Sequence, residues 1–218
     1  MQITTWNCNG AYRNKPHIDS DITVIQECDR LAQPEIWIGD KKGIGIFSKF
    51  DLRLHDSYNS NFKYVVPIII ENFTLFAIWA MNDKVNSKNR YISQVIQALK
   101  YYEKLLNKPT IIIGDFNWNL KWDTKPSGPI LYKWTDLIEL LGEKRITSTY
   151  HEYFKEDFGN ETQPTFYQFR DKSKSYHTDY CFVSEHFKVS KVEIGKYSDR
   201  IQYSDHMPLT IELEKTNA

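Results

Sequence analysis

The sequence predicts a layered α/β fold with helices packed outside β-sheet, and three observations carry that prediction. Short apolar runs rich in β-branched and aromatic residues recur along the whole chain, each bounded by turn residues. Two longer segments between them place apolar residues at three- and four-residue steps, the period of a helix with one buried face. No repeat, low-complexity tract or linker-like shift of composition interrupts the pattern, so a single domain over residues 1–218 is expected. That length lies below the roughly 250 residues at which single cores stop growing.

In order, the strand-like runs are Ile3 to Trp6, Ile22 to Ile25, Ile44 to Phe47, Val65 to Ile70, Leu75 to Trp79, Thr110 to Ile113, Tyr180 to Val183 and Leu209 to Leu213. The spacing predicts a helix over Asn89 to Leu106, with Ile92, Val95, Ile96, Leu99, Tyr102 and Leu106 facing inward and Ser93, Gln97, Lys100 and Lys104 facing water. A second is expected from Pro129, a helix-start residue, through Ile130, Leu131, Trp134, Leu137 and Ile138 to Leu141, stopped by Gly142. The last residues, Glu214 to Ala218, are expected to fray.

Composition narrows the classes of function. Hydrophobic residues at 41% and charged residues at 26% are ordinary for a globular protein, and 15% aromatic residues supply bulky core material, which excludes disorder and coiled coil. Lys plus Arg equals Asp plus Glu at 28 each, so no overall basic field draws the chain along a polyanion, and any nucleic-acid contact is local. No stretch approaches the roughly 20 apolar residues of a membrane helix, and MQITTWNCNG lacks the regions of a signal peptide. A soluble cytoplasmic protein with no membrane contact and no obligate protein partner is therefore expected. Cys8, Cys28 and Cys181 are too few and too scattered for a disulfide framework or zinc knuckle and read as reduced core residues.

Polar residues follow the apolar runs abruptly. Trp6 leads into Asn7-Cys8-Asn9-Gly10, Ile25 into Gln26-Glu27, and Ile113 into Gly114-Asp115-Phe116-Asn117, while Thr178-Asp179 and Ser204-Asp205-His206 precede later strands. Strand ends are where α/β folds gather ligands. One Asp after a strand is most commonly a turn or cap residue; five such ends with amides beside acids point to a site.

The ordered set WNCNG, IQECD, GIGIFSK, GDFNWN, PTF, TDYCFVS and SDHMPL, spanning Thr5 to Leu209, resembles the endonuclease/exonuclease/phosphatase superfamily, nearest its exonuclease III and apurinic endonuclease branch. The resemblance implies a β-sandwich of two mixed sheets flanked by helices, with the site at one end. It also implies a divalent metal, Mg²⁺ or Mn²⁺, held by Glu27 with Asn7 and Asp205. By the same resemblance Asp115 orients or deprotonates the attacking water, Asn117 donates to phosphate, and His206 faces the scissile phosphate as a cation with Asp179 on its other nitrogen. That pairing is sound chemistry, because an adjacent carboxylate favours imidazolium and fixes the ring.

Asn9 and Asn82 match amides that this branch uses near phosphate or metal water, although Asn9 before Gly is equally a turn signal. Many members place a His or Tyr near the leaving group where this chain has Trp79, within LFAIWAMN. An indole cannot serve as an acid, so Trp79 is either a hydrogen-bond donor at the site or a core aromatic. Basic and aromatic residues cluster near these strand ends: Lys41 and Lys42, Lys84, Lys88 and Arg90, Trp118, Lys121 and Trp122, and Arg170 to Lys174. Of these, Trp118, Lys121 and Lys172 are expected to contact nucleic acid. The expected activity is a metal-dependent nuclease on DNA or RNA. The alternative is a phosphatase of a small phosphorylated molecule or lipid head group. A binding protein derived from the fold is disfavoured, because its acids would repel a polyanion without a metal.

Overall fold

The structure is a computed structural model that describes residues 1–216. It runs β1 (Gln2–Asn7), β2 (Ile22–Cys28), β3 (Ile36–Gly39), β4 (Gly43–Ser48), β5 (Leu52–Leu54), β6 (Val65–Ile70) and β7 (Phe73–Trp79) before its first helix, α1 (Ile92–Tyr101). Then come β8 (Thr110–Asp115), α2 (Trp134–Glu143), β9 (Ile146–Ser148), α3 (Thr149–Phe154), β10 (Phe166–Tyr167) and β11 (Ser175–Tyr176). The chain closes with β12 (Asp179–Ser184), β13 (Phe187–Ile194), α4 (Tyr197–Arg200) and β14 (Leu209–Lys215).

Two six-stranded sheets form, ordered β13-β14-β1-β2-β4-β3 and β5-β6-β7-β8-β12-β9, with β10 and β11 as a separate hairpin. Each sheet is mixed: β1 is parallel to β2 and β7 to β8, and the other pairings are antiparallel. Ile3, Ile22, Val24, Ile44 and Ile46 of the first sheet meet Val66, Ile68, Leu75, Ile111 and Ile113 of the second in a continuous buried cluster. Each such side chain contributes roughly 1.5–3 kcal/mol of transfer free energy, so this inter-sheet layer is the main stabilising element. A second cluster covers the outer face of the second sheet, where Phe76, Ile78 and Ile112 pack on Ile92, Val95, Leu99, Trp134 and Leu137 of the two long helices. The expected sandwich flanked by helices is present, and all three cysteines are buried and free.

Both helices are shorter than their periodicity suggests. Tyr91 has φ 48° and ψ −120° and donates its N–H to the Met81 carbonyl at 2.7 Å, so Asn89 and Arg90 stay outside α1, and beyond it Glu103–Asn107 winds as a tighter 3₁₀ turn. Helix α2 begins at Trp134 rather than Pro129 because the Asp123 carboxylate accepts the Trp134 and Thr135 N–H groups at 3.0 and 3.2 Å. That side chain satisfies the unpaired donors of the first turn from outside the helix and fixes its start. Glu214 and Lys215, expected to fray, are paired in β14 opposite Lys188 and Phe187, while residues 217–218 lie outside the described residues. No helix among the described residues is long and apolar enough to cross a membrane.

Candidate active site

Topology brings the polar strand ends together. The parallel pairs β1/β2 and β7/β8 end at Asn7 opposite Gln26, with Glu27 next along β2, and at Trp79 opposite Asp115. Antiparallel β12 begins where β8 stops, with Asp179 directly opposite Asp115. Thr5 pairs with Leu209, so His206, just before β14, lies beside the end of β1.

Two carboxylates opposite one another in buried strands are destabilising unless a cation compensates. His206 supplies it. Its Nδ1 lies 2.9 Å from Asp179 Oδ2 and its Nε2 lies 4.0 Å from Asp115 Oδ2. Burial acts to lower the His206 pKa, but Asp179 and then Asp115 outweigh it and hold the imidazole up at about 10, so it is charged at neutral pH. Asp115 is pushed from 3.8 to about 7, chiefly by burial, with His206 opposing and Asp179 reinforcing. Its Oδ2 accepts from the side-chain amides of Asn7 and Asn117, each at 2.9 Å, and its Oδ1 from the Asn117 backbone at 2.8 Å. The loop carrying His206 is itself pinned, by Trp6 Nε1 on the His206 carbonyl at 2.8 Å and by Ser204 Oγ, which donates to the Asn7 carbonyl at 2.6 Å and accepts the His206 N–H at 3.0 Å.

Asp115, Asp179 and His206 bring potential ligand atoms within 4.8 Å of one another. A charged imidazolium offers no lone pair, so a divalent ion suits the neighbouring oxygens better. Glu27 stands where the β2–β4 register breaks between Ile25 and Cys28 and has a left-handed φ of 55°. Such backbone strain in a non-glycine strand residue persists where surroundings enforce it. The Glu27 carboxylate takes the Lys42 ammonium at 2.5 Å. Asn7 Oδ1 accepts the Asn9 N–H at 3.1 Å, and Asp205 is half-buried next to His206.

Several expected substrate contacts lie elsewhere. Trp79 is only 7% exposed and packs on Tyr64, ring centroids 4.8 Å apart, within the inter-sheet core, so it is a core aromatic and not a group at the leaving oxygen. Trp118 is 2% exposed with its indole N–H on Asp123 at 2.8 Å, so it backs the wall of the aromatic cavity and offers little surface of its own for a base to stack. The donors of Asn117 go to Asp115 and the Ala80 carbonyl rather than outward. Lys121 is exposed toward Gly159, and the Lys172 ammonium sits 4.6 Å over the Tyr197 ring. Asn9, left-handed at φ 54°, and Asn82 are exposed. The exposed aromatic surface lies in a cavity of about 370 Å³ lined by Tyr91, Trp118, Trp122, Phe166 and Tyr176, with Asn117 and Lys125 also on its wall. Phe166 also stacks on His206 at 4.6 Å, joining this cavity to the acid–histidine row.

A family model described as Endonuclease/Exonuclease/phosphatase family matches residues 4–206. The chain belongs to the endonuclease/exonuclease/phosphatase family. It is accordingly a hydrolase of phosphoric ester bonds. No curated protein matches it by sequence. Its fold is similar to that of an AP endonuclease from Archaeoglobus fulgidus (TM-score 0.70, 18% identity, 98% of this chain and 99% of that one) and of a 3′-5′ exonuclease from Neisseria meningitidis (TM-score 0.67, 17% identity, 98% and 100%). It is also similar to a Neisseria 3′ phosphatase bound to a product DNA hairpin (TM-score 0.66, 18% identity, 98% and 99%).

One residue of this family site escaped sequence reasoning. Thr165 Oγ1 donates to Asp179 Oδ2 at 2.7 Å and accepts the N–H groups of Thr178 and Asp179 at 3.0 and 3.1 Å, fixing which carboxylate oxygen meets His206. Thr165 lies in the PTF motif, but nothing local marks its hydroxyl, because its partners are 13 and 14 residues away.

Proposed function

We propose that the chain is a divalent-metal-dependent nuclease that hydrolyses a DNA or RNA phosphodiester by attack of an activated water on phosphorus. The observation that carries the reading is the row of Asp115, His206 and Asp179, one buried cation held between two buried carboxylates at the end of the sandwich. His206, charged and fixed from behind by Asp179 and Thr165, donates to a phosphoryl oxygen as negative charge develops there. Asp115, poised near neutrality and gripped by Asn7 and Asn117, orients the attacking water and takes its proton.

Glu27, with Asn7 and Asp205, would hold the metal. An oxygen-only donor set suits Mg²⁺ or Mn²⁺, and Glu27 already receives a cation in the form of Lys42, which supports the fit. A divalent ion there supplies neutralisation of phosphoryl charge and a more acidic water. With Trp79 in the core, the proton for the leaving oxygen comes from water rather than from that strand end.

The aromatic cavity beside Phe166 favours a nucleic acid over a small phosphomonoester, since stacking an unpaired base on such rings is worth roughly 1–3 kcal/mol. The product DNA hairpin bound to the similar Neisseria 3′ phosphatase supports the same choice. The test is incubation with Mg²⁺ or Mn²⁺ and a panel of single- and double-stranded DNA, RNA, abasic duplex, 3′-phosphorylated DNA and inositol phosphates. Cleavage of a nucleic acid is expected, lost in chelator and reduced by orders of magnitude in Glu27→Gln. Full activity in chelator refutes the metal, and hydrolysis of inositol phosphate alone moves the assignment to a phosphatase.

A further inference from the structure

We propose that Lys42 is a tethered cation that competes with the divalent metal for Glu27; the inference rests on the reading of Glu27 as a metal ligand. The position of Lys42 is built into the turn between β3 and β4. There Gly39 and Gly43 approach so closely that a Cβ on either would meet the facing backbone at 2.4 or 2.3 Å. Asp40 in the same turn donates its N–H to the Lys42 carbonyl at 3.2 Å and is held through its carboxylate by Lys63 at 2.6 Å. From this pinched turn the side chain crosses Gly10, where an added Cβ would lie 3.2 Å from the Lys42 Cε. The lane ends at Glu27, which its own left-handed backbone turns out of the strand to meet the ammonium. Adjacent Lys41 makes no ion pair among the described residues, so the contact belongs to the position and not to a lysine-rich turn.

Charge gives this arrangement a consequence. Glu27, Asp205 and Asp115 would repel a polyanion in the metal-free protein, and Lys42 neutralises one of those acids. A metal binding at Glu27 must displace the ammonium, so the free protein binds metal more weakly than its oxygens alone would allow. The displaced ammonium stays at the mouth on its four-carbon stem, free to meet a substrate phosphate. Metal and nucleic acid then bind with positive coupling, which by linkage acts equally in both directions.

The experiment is Mn²⁺ binding to the substrate-free protein, read from free Mn²⁺ by electron paramagnetic resonance. Lys42→Met should tighten binding about two- to five-fold, the scale of one exposed ion pair, and by more than Lys41→Met, which removes the same charge without the contact. Lys42→Met should have no effect in the Glu27→Gln background. In the native chain the Lys42 ¹⁵Nζ resonance should shift on addition of Mg²⁺ and, without metal, on Glu27→Gln. Mn²⁺ binding that Lys42→Met leaves no tighter than Lys41→Met overturns the proposal alone. Absence of any Mn²⁺ binding overturns it together with the metal reading.

Discussion

Asp179→Asn should lower the titration of His206 by several pH units. In the native site burial opposes the charged ring, yet Asp179 at 2.9 Å and Asp115 at 4.0 Å raise it from 6.5 to about 10. A rise of roughly 3.5 units corresponds to about 4–5 kcal/mol in favour of imidazolium, at about 1.36 kcal/mol per unit. Asparagine keeps the shape and can accept from Nδ1 through its amide oxygen, so the ring stays in place while the principal favourable charge is removed. Burial then has only Asp115 and, more weakly, Asp205 against it, and His206 should titrate near or below its ordinary value. The assay is an NMR titration of histidine Cε1–H signals, with His206→Gln assigning the signal among the six histidines. A native midpoint near 6.5, or the same midpoint in Asp179→Asn, would refute the reasoning. Stability provides an independent readout. The folded chain keeps a proton that the unfolded chain loses, so this contribution is complete below pH 6.5 and disappears as pH rises through about 10. Asp115, raised to about 7, loses its own contribution up to that pH, and Cys8, whose thiol burial pushes from 9.0 to about 11, adds a further loss at higher pH, so the His206 slope is best measured between about pH 7.5 and 8.5. There the native protein should weaken with pH and Asp179→Asn should not.

Glu161 should govern acid stability: burial acts to raise its pKa, but His151 and the Gly159 N–H outweigh this and hold it at about 2. Its contribution is therefore complete above the ordinary 4.5 and lost as pH falls through about 2, and Glu161→Gln should flatten that part of the melting profile, with unchanged acid dependence counting against the network. Asp123→Ala should cost about 1–2 kcal/mol by urea denaturation through loss of the α2 cap, and more where the Trp118 indole is left unpaired; a cost under about 0.5 kcal/mol would argue that water replaces the cap. Trp122→Ala, which removes the ring packed at a tilt against Tyr176 at 5.0 Å, should weaken single-stranded nucleic-acid binding by about 1–3 kcal/mol in a fluorescence anisotropy assay, and equal loss for duplex would deny a stacking role.

The strands legible in the sequence are the interior ones. Every apolar run identified there became an interior strand: β1, β2, β4 and β14 in one sheet, β6, β7, β8 and β12 in the other. The strands not identified, β3, β5, β9 and β13, are the four sheet edges, together with the short hairpin β10–β11. An edge strand buries little or one face only, so β13 places exposed Lys188 and Ser190 between buried Phe187 and Val192, and no continuous apolar run results. The acid–histidine row was legible because its members stand where apolar runs stop. The cavity was legible only in part: Trp118 and Trp122 stood out beside GDFN, but Tyr91 precedes α1 and Phe166 faces Tyr176 across the β10–β11 hairpin, far away in sequence, and which aromatic faces outward depends on contacts such as Trp118 with Asp123. Trp79 shows the same limit, since a strand-end position does not say which face of the strand its ring takes.

Charge in this molecule is arranged locally rather than globally. The chain has no net charge, and its site contains more acids than bases, so long-range attraction does not bring a polyanion to it. On the proposed reading, what would meet phosphate is a small set of cations whose partners are themselves part of the site: His206 held by Asp179 and Asp115, and Lys42 held by Glu27. Each is kept near the reacting position by a carboxylate, which limits the reorganisation needed when charge develops during hydrolysis. The same pairing explains why the acids can be packed so closely in the absence of substrate. Asp115 and Asp179 sit in register across β8 and β12, a juxtaposition the sheet could not hold if both were ionised with no cation between them. His206 is therefore structural, and on the proposed reading functional at once: the charge that allows the two strands to pair there would be the charge that the phosphate meets.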